Sequence, residues 1–279
     1  MPLVTLKEAL YNAEKKGTAI GAFNIANYES CKAAFDAAKE LDCPVIVQVF
    51  RRLFESEKAR DLSFLVKGMA AYAAIPVVLH LDHGNDIRQV EQAIAYGFTS
   101  VMIDGSELPF EENVELTKKA VALAHDHHLS VEAELGHVQF SDHDNKSDFY
   151  TIPEEAAEFV KQTSVDALAV AIGTSHGHYR QTPKLDLERL KKIRTLVNIP
   201  LVLHGGSDTP IQDVRKAVSY GIRKINIATE FHQIYTDELR VQSELCKDKF
   251  LPIDVYMQPV YEKMKGLIKK KMEQFDLNF

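Results

Sequence analysis

Eight short runs rich in β-branched and apolar residues recur along this chain, at residues 18–23, 44–49, 76–81, 100–103, 130–134, 167–172, 200–203 and 224–227. They are roughly 25–35 residues apart, the spacing of a repeated strand–helix unit. Their interiors are almost continuously apolar, which suits parallel strands covered on both faces. Between them lie helical patterns, at residues 28–40, 111–124, 153–162 and 210–220. The second begins with acids and the last two with Pro, as helix N-termini do. Gly97 and Gly221 stand where a left-handed cap closes a helix. Eight such units predict an α/β fold, the (β/α)8 TIM barrel. A doubly wound sheet is the rival, but no Gly-rich fingerprint follows the first strand. No linker, low-complexity stretch or charge block divides the chain, so residues 1–279 are expected to form a single domain. From Pro259 the pattern adds an extra C-terminal helix, with Lys269-Lys270-Lys271 expected on a solvated face.

Composition then excludes whole classes of function. Lys and Arg number 33 against 40 Asp and Glu, a net charge of −7. Nucleic-acid binding proteins carry a basic surplus, so no nucleic-acid partner is expected. No run approaches the roughly 18 apolar residues of a membrane span. The opening Met1-Pro2-Leu3-Val4-Thr5 lacks the regions of a secretory leader. The 3 cysteines, Cys31, Cys43 and Cys246, have no metal-type spacing and fit a reduced, cytoplasmic protein.

In such barrels chemistry sits at the carboxyl ends of the strands. Here those ends carry Asn24, Gln48, Asp82-His83, Asp104, Glu134, His176, His204 and Asn226. A barrel selected for stability alone has no use for so many polar groups on one rim. Three imidazoles among them, His83, His176 and His204, can hold Zn2+ and leave a position open for substrate. The other histidines carry less weight: His80 reads as a hydrogen-bonded core residue and His125, His127 and His128 as exposed. His137, His143, His178 and His232 stay in play through their place near loops. Asp82 beside His83 can exchange a proton with a substrate hydroxyl, or can orient a metal-binding imidazole. His204-Gly205-Gly206-Ser207 and Asn226-Ile227-Ala228-Thr229 close the seventh and eighth strands, where such barrels bind phosphate through backbone N–H groups and a helix N-terminus.

Zinc beside phosphate points to ketose chemistry, in which the metal holds carbonyl and hydroxyl oxygens and stabilises an enediolate. A Schiff-base aldolase needs a lysine inside the barrel. The sixth strand has none, and Lys224 reads as the start of its strand, at the wrong end.

Five segments, taken in order, carry a resemblance that spans nearly the whole chain. They are Leu79-His80-Leu81-Asp82-His83-Gly84, Ser100-Val101-Met102-Ile103-Asp104-Gly105-Ser106, Val131-Glu132-Ala133-Glu134-Leu135-Gly136, Gly173-Thr174-Ser175-His176-Gly177 and Leu203-His204-Gly205-Gly206-Ser207-Asp208. The set resembles the class II, zinc-dependent ketose-bisphosphate aldolases, and Ser207-Asp208 before Pro210 is most similar to the tagatose-bisphosphate branch. The resemblance implies a homodimeric or homotetrameric barrel and reversible cleavage of a phosphorylated ketose to dihydroxyacetone phosphate and an aldehyde. It implies His83, His176 and His204 as zinc ligands and Asp82 as the group that takes the C4 hydroxyl proton. Asp104 and Glu134 match acidic positions near the metal, sometimes a second cation site. Gly177, Gly205, Ser207, Asn226 and Thr229 match the dihydroxyacetone phosphate cradle, often with a monovalent cation, Na+ or K+. Asn24 and Gln48 match polar residues of the same pocket.

The departures from the family pattern are local. Where the family shows a Gly-Gly pair and then an acid that exchanges the C3 proton, this chain has Gln139-Phe140 and then Asp142, with His143 and Asp144 as rivals. Where a phosphate-touching Ser is common, it has Phe50-Arg51-Arg52. Asp254 stands where fructose-bisphosphate relatives place a phosphate-binding Arg, and an Asp there repels an anion. The dihydroxyacetone phosphate end thus reads as kept, less one hydroxyl, and the aldehyde end as rebuilt, for a non-standard ketose phosphate with a sulfonated, carboxylated or deoxy aldehyde end. Arg51 or Arg52 can clamp a different anion, whether phosphate, carboxylate or sulfonate. Two other readings compete: a metal-dependent phosphate-ester hydrolase on the same barrel, and a non-catalytic relative. Asp82 and the three imidazoles argue against the second, because binding alone needs no proton acceptor.

Overall fold

A computed structural model describes residues 3–138, 149–175, 177 and 182–277. Eight parallel strands close on themselves in chain order: β1 (Ile20–Asn24), β2 (Val45–Phe50), β3 (Val77–Gly84), β4 (Ser100–Ile103), β5 (Ser130–Leu135), β6 (Ala167–Val170), β7 (Leu201–Leu203) and β8 (Ile222–Ile227). Pairing of Phe23 with Ile227 seals the cylinder between β1 and β8. Outside it run α2 (Tyr28–Glu40), α3 (Lys58–Ala70), α4 (Ile87–Tyr96), α5 (Phe110–Asp126), α6 (Pro153–Thr163), α7 (Leu187–Leu196), α8 (Ile211–Ser219) and α9 (Thr229–Leu245). Before them comes α1 (Leu6–Lys16), and after them α10 (Ile253–Phe275). The expected (β/α)8 barrel is what the chain forms. Gly97 caps α4 at φ 77°, as its position predicted.

Side chains alternate along each strand, so the barrel has two separate cores. The outward track, with Val45, Val47 and Val49 of β2 or Leu79 and Leu81 of β3, packs under the helices. The inward track is apolar only near the strand starts, where Ile20, Ala22, Ile46, Val78, Ala167 and Val202 meet. Leu6 and Leu10 of α1 stop that end, and α1 is held by a capping box between Thr5 and Glu8. Farther along the same track the residues become Asn24, Gln48, His80, Asp82, Glu132, Glu134, His204, Lys224 and Asn226, all buried. The apolar plug keeps water from the floor, so these polar groups must satisfy one another.

Three local expectations are corrected. Lys224 does not begin its strand. β8 starts at Ile222, and Lys224 pairs with Val202 inside the barrel. The charge of Arg223 had masked that start, yet Arg223 faces the other way and reaches Glu14 at 2.7 Å. The last helix begins at Ile253 and carries Pro259 near its start. Its lysines are not all solvated, because Lys271 is buried and pairs with Glu230 at 2.6 Å.

Candidate active site at the barrel mouth

A cavity of about 490 Å³ opens at the carboxyl ends of the strands. Asp82 and His83 both line it, although neighbours on a regular strand face opposite ways. A bulge resolves this. Leu81 pairs with Val101 and Gly84 with Ile103, so β3 carries one residue more than β4 over that stretch. His83 takes the left-handed backbone, φ 54°, which costs a non-glycine residue about 1 kcal/mol. Gly84 follows because a Cβ there would lie 2.7 Å from the Met102 carbonyl oxygen.

His83, Glu134 and His204 form a buried group whose ligand atoms lie within 4.8 Å of one another. Each imidazole is aimed by a carboxylate on its far side. Asp104 Oδ2 holds His83 Nδ1 at 2.7 Å, which leaves Nε2 toward the group. Glu132 Oε1 holds His204 Nε2 at 2.8 Å, and His204 Nδ1 faces Glu134 Oε2 at 2.9 Å. This is how proteins fix the tautomer of a metal-binding histidine. Burial disfavours charge on His204, but the carboxylates of Glu132 and Glu134 outweigh it and push the ring up to about 10. Burial likewise opposes protonation of His83, and Asp82 and Asp104 raise it. Asp104 itself is held well below the usual carboxylate range against burial, by His83 and by two hydrogen bonds from Ser106. So much negative charge around two imidazoles suits a divalent cation. Glu134 Oε2 is buried against His204 Nδ1, and a nitrogen–nitrogen–oxygen set fits zinc.

Asp82 is an acceptor on both oxygens. Asn24 Nδ2 donates to Oδ2 at 2.7 Å and Asn226 Nδ2 to Oδ1 at 3.2 Å. Burial would raise this carboxyl, but the charges of His83, Lys224 and His204 and the Asn24 bond hold it low. Gln48 does not line the cavity; it donates to Asn24 Oδ1 at 2.7 Å from behind.

Gly177, Gly205, Ser207, Asn226, Ala228 and Thr229 line one side of the cavity. Gly205 has φ 66°, and a Cβ there would strike the Ser175 carbonyl oxygen. Ser207 Oγ accepts from the Glu230 amide at 3.3 Å, which brings the β7 loop onto the first turn of α9. A helix start with a close glycine backbone is a place for an anion. Glu230 would oppose that, but its pairing with Lys271 offsets its charge.

The rim also carries cationic and aromatic groups. Arg51 and Arg52 follow β2 in a single 3-10 turn (Arg51–Glu55) and line the cavity, their guanidinium carbons 5.9 and 5.3 Å from the Phe50 ring centroid. His232 joins them, with Nε2 2.8 Å from the Asn24 carbonyl oxygen. His137 lines the mouth and contacts Ser106 Oγ at 3.0 Å through Nδ1.

The structure thus gathers Asn24, Asp82, His83, Asp104, Glu134, Gly177, His204, Gly205, Ser207, Asn226, Thr229, Arg51 and Arg52 at one mouth. His176 and Asp142, with His143, Asp144 and His178, lie outside the described residues. Asp104 stands behind His83 rather than within the group of three. Asp254 is exposed on α10 and does not line the cavity. Sequence reasoning missed Glu132 and Lys224 in the barrel floor. The alternation Glu132-Ala133-Glu134 was the available clue, since it turns both acids inward.

The sequence profile described as Fructose-bisphosphate aldolase class-II matches residues 4–278. This chain belongs to that family. It is therefore an aldolase, a carbon–carbon lyase, and its family chemistry is aldol cleavage of a phosphorylated sugar. Fructose-bisphosphate aldolases of Staphylococcus epidermidis and Staphylococcus aureus are 40% identical to this aldolase over 99% of its chain and 98% of theirs. Among solved structures, the YdjI aldolase from Escherichia coli K12 superposes with a TM-score of 0.86 at 36% identity, over 99% of both chains. A putative fructose-1,6-biphosphate aldolase from Coccidioides immitis gives 0.88 at 29% identity, over 97% of this chain and 96% of that one. No helix among the described residues is long and apolar enough to cross a membrane.

Proposed function

We propose that this aldolase cleaves a phosphorylated ketose of the fructose or tagatose type, reversibly, to dihydroxyacetone phosphate and an aldehyde. The carrying observation is the group of His83, Glu134 and His204 beside Asp82, with a glycine-lined helix start in the same cavity. In this reading His83, His176 and His204 hold zinc, with Glu134 alongside and Asp104 orienting His83. Bound zinc supplies positive charge that stabilises the developing enediolate. Asp82, kept ionised by its amide donors, accepts the C4 hydroxyl proton as the C3–C4 bond breaks, and returns it in condensation. Asp142 delivers the proton to C3. Gly177, Gly205, Ser207, Asn226 and Thr229 seat the phosphate of the dihydroxyacetone end, with a sodium or potassium ion beside it. The test is coupled detection of dihydroxyacetone phosphate over a panel of ketose phosphates, with and without chelator. We expect the chelator to abolish cleavage and borohydride with substrate to leave the enzyme untrapped. Inorganic phosphate released without dihydroxyacetone phosphate would establish the hydrolase reading instead.

The rim favours a variant of this substrate. Arg51, Arg52 and His232 line the same cavity. They support an aldehyde end that carries its own anion, a carboxylate or sulfonate as readily as a phosphate. Highest efficiency on fructose 1,6-bisphosphate would reject the carboxylate and sulfonate forms. The 3 free cysteines support a cytoplasmic setting. The exposed Leu245, Phe250 and Ile253 support a homodimer or homotetramer.

A further inference from the structure

The barrel floor holds one ammonium group that the proposed chemistry does not use. Lys224 is fully buried, and no such group stays charged in a closed core without partners. It has two. Its Nζ lies 2.9 Å from Glu132 Oε2 and donates to Asn226 Oδ1 at 2.7 Å. Each partner hands the constraint on. Glu132 uses its other oxygen to hold His204 Nε2. Asn226, with its Oδ1 occupied, must turn Nδ2 the other way, onto Asp82. An amide free to flip could present either atom to that carboxylate. His80 closes the floor, with Nδ1 2.6 Å from Ser100 Oγ and Nε2 3.6 Å from Glu132 Oε2. Burial and the nearby Lys224 charge push His80 down to about 3, so it is neutral and leaves Lys224 as the cation facing Glu132.

We infer that Lys224 is a positioning residue for both halves of the site: through Glu132 it sets which nitrogen His204 offers a metal, and through Asn226 it sets the amide facing Asp82. The lysine touches neither the metal-binding group nor the cavity surface. Its contacts reach the site through these two partners, and its charge also helps to hold the Asp82 carboxyl low. This assignment rests on the zinc reading above, and its test separates the two.

Zinc affinity of the full-length protein is measured by competition with a chromophoric chelator, for the wild type and for Lys224→Met, Glu132→Gln, the double variant and His204→Ala. Cobalt-loaded samples give visible spectra as a second readout. His204→Ala should lose zinc; if it binds zinc like wild type, the zinc reading fails before Lys224 is in question. With that control in place, Lys224→Met should weaken zinc by about 10–100-fold, the usual effect of removing an outer partner of a metal-binding histidine. It should also alter the cobalt spectrum. The double variant should bind zinc no more weakly than Glu132→Gln, because the lysine acts through that carboxylate. The inference is overturned if Lys224→Met binds zinc within twofold of wild type. It is equally overturned if the losses of the two single variants multiply in the double. Should Lys224→Met fail to fold around an unpaired Glu132, the neutral double variant against Glu132→Gln decides: equal affinity supports the inference and a further loss above fourfold ends it. For the Asn226 branch, substrate kinetics of zinc-saturated double variant and Glu132→Gln are compared. A lower kcat in the double variant that is absent when both are compared in an Asn226→Ala background supports it, and identical kcat and KM, or a loss that persists without Asn226, remove it.

Discussion

At the scale of single residues, the site depends on carboxylates in unlike surroundings. Asp82 accepts two amide hydrogen bonds and lies beside two imidazoles, so it stays ionised although buried. Glu132 is ionised for another purpose, pinned between Lys224 and His204. Asp82→Asn keeps the shape and removes the proton acceptor. We expect kcat to fall by about 10²–10⁴-fold, the usual contribution of a positioned base. Zinc content measured by atomic absorption should match wild type. An unchanged kcat would remove Asp82 from the chemistry. Asp82, His83 and His204 were legible in the sequence because they stand at strand ends. Glu132 was not, because its partners, Lys224 and His204, come from distant parts of the chain.

Among the elements, β3 and α10 show how local pattern and packing divide the work. The bulge in β3 lets adjacent residues face one cavity, and Gly84 marks it in the sequence. For α10 no sequence pattern named a partner. The structure lays it along α2, where Tyr261 donates to Asp36 Oδ2 at 2.6 Å and Lys265 and Lys269 reach Glu40 at 3.1 and 2.6 Å. Burial would raise Asp36, but hydrogen bonds from Lys32 and Tyr261 outweigh it and lower its pKa. A depressed folded pKa stabilises the native state above the unfolded value, 3.8, and that contribution fades as pH falls through the folded one. Tyr261 is pushed up to about 12, first by burial and then by Asp36, so its contribution holds below its unfolded value and is lost as pH rises toward 12. Tyr261→Phe should therefore lower Tm at pH 7 by about 2–4 °C, for a loss of about 1 kcal/mol. The gap to wild type should shrink below pH 3.8 and at high alkaline pH. A gap constant across that range, followed by circular dichroism, would show that the contact is only packing.

For the molecule as a whole, a net charge of −7 must coexist with a site for an anionic sugar. The barrel manages this by direction. Inward acids surround the metal-binding group, while helix starts and arginines line the mouth. One outer surface is left unbalanced: Leu245, Phe250 and Ile253, at the junction of α9 and α10, are 66%, 92% and 81% exposed. Three apolar side chains this exposed, close along the chain, support the proposed contact between copies. Phe250→Glu with Ile253→Glu should shift the protein to monomer in light scattering after gel filtration. A wild-type mass equal to one chain would reject the oligomer.

What the sequence determined by itself was periodic. Apolar runs recurring with intervening helices specify a closed barrel, since each parallel strand must be covered on both faces, and closure sends the polar strand ends to one rim. What only the tertiary structure decided was who meets whom across the barrel. Glu132, His204, Lys224 and Asn226 belong to two strands, β5 and β8, and to the residue that follows β7. Their contacts are set by the stagger and curvature of the closed sheet. No spacing along the chain encodes that stagger, which is why the contacts of Lys224 in the floor could not be read from the sequence.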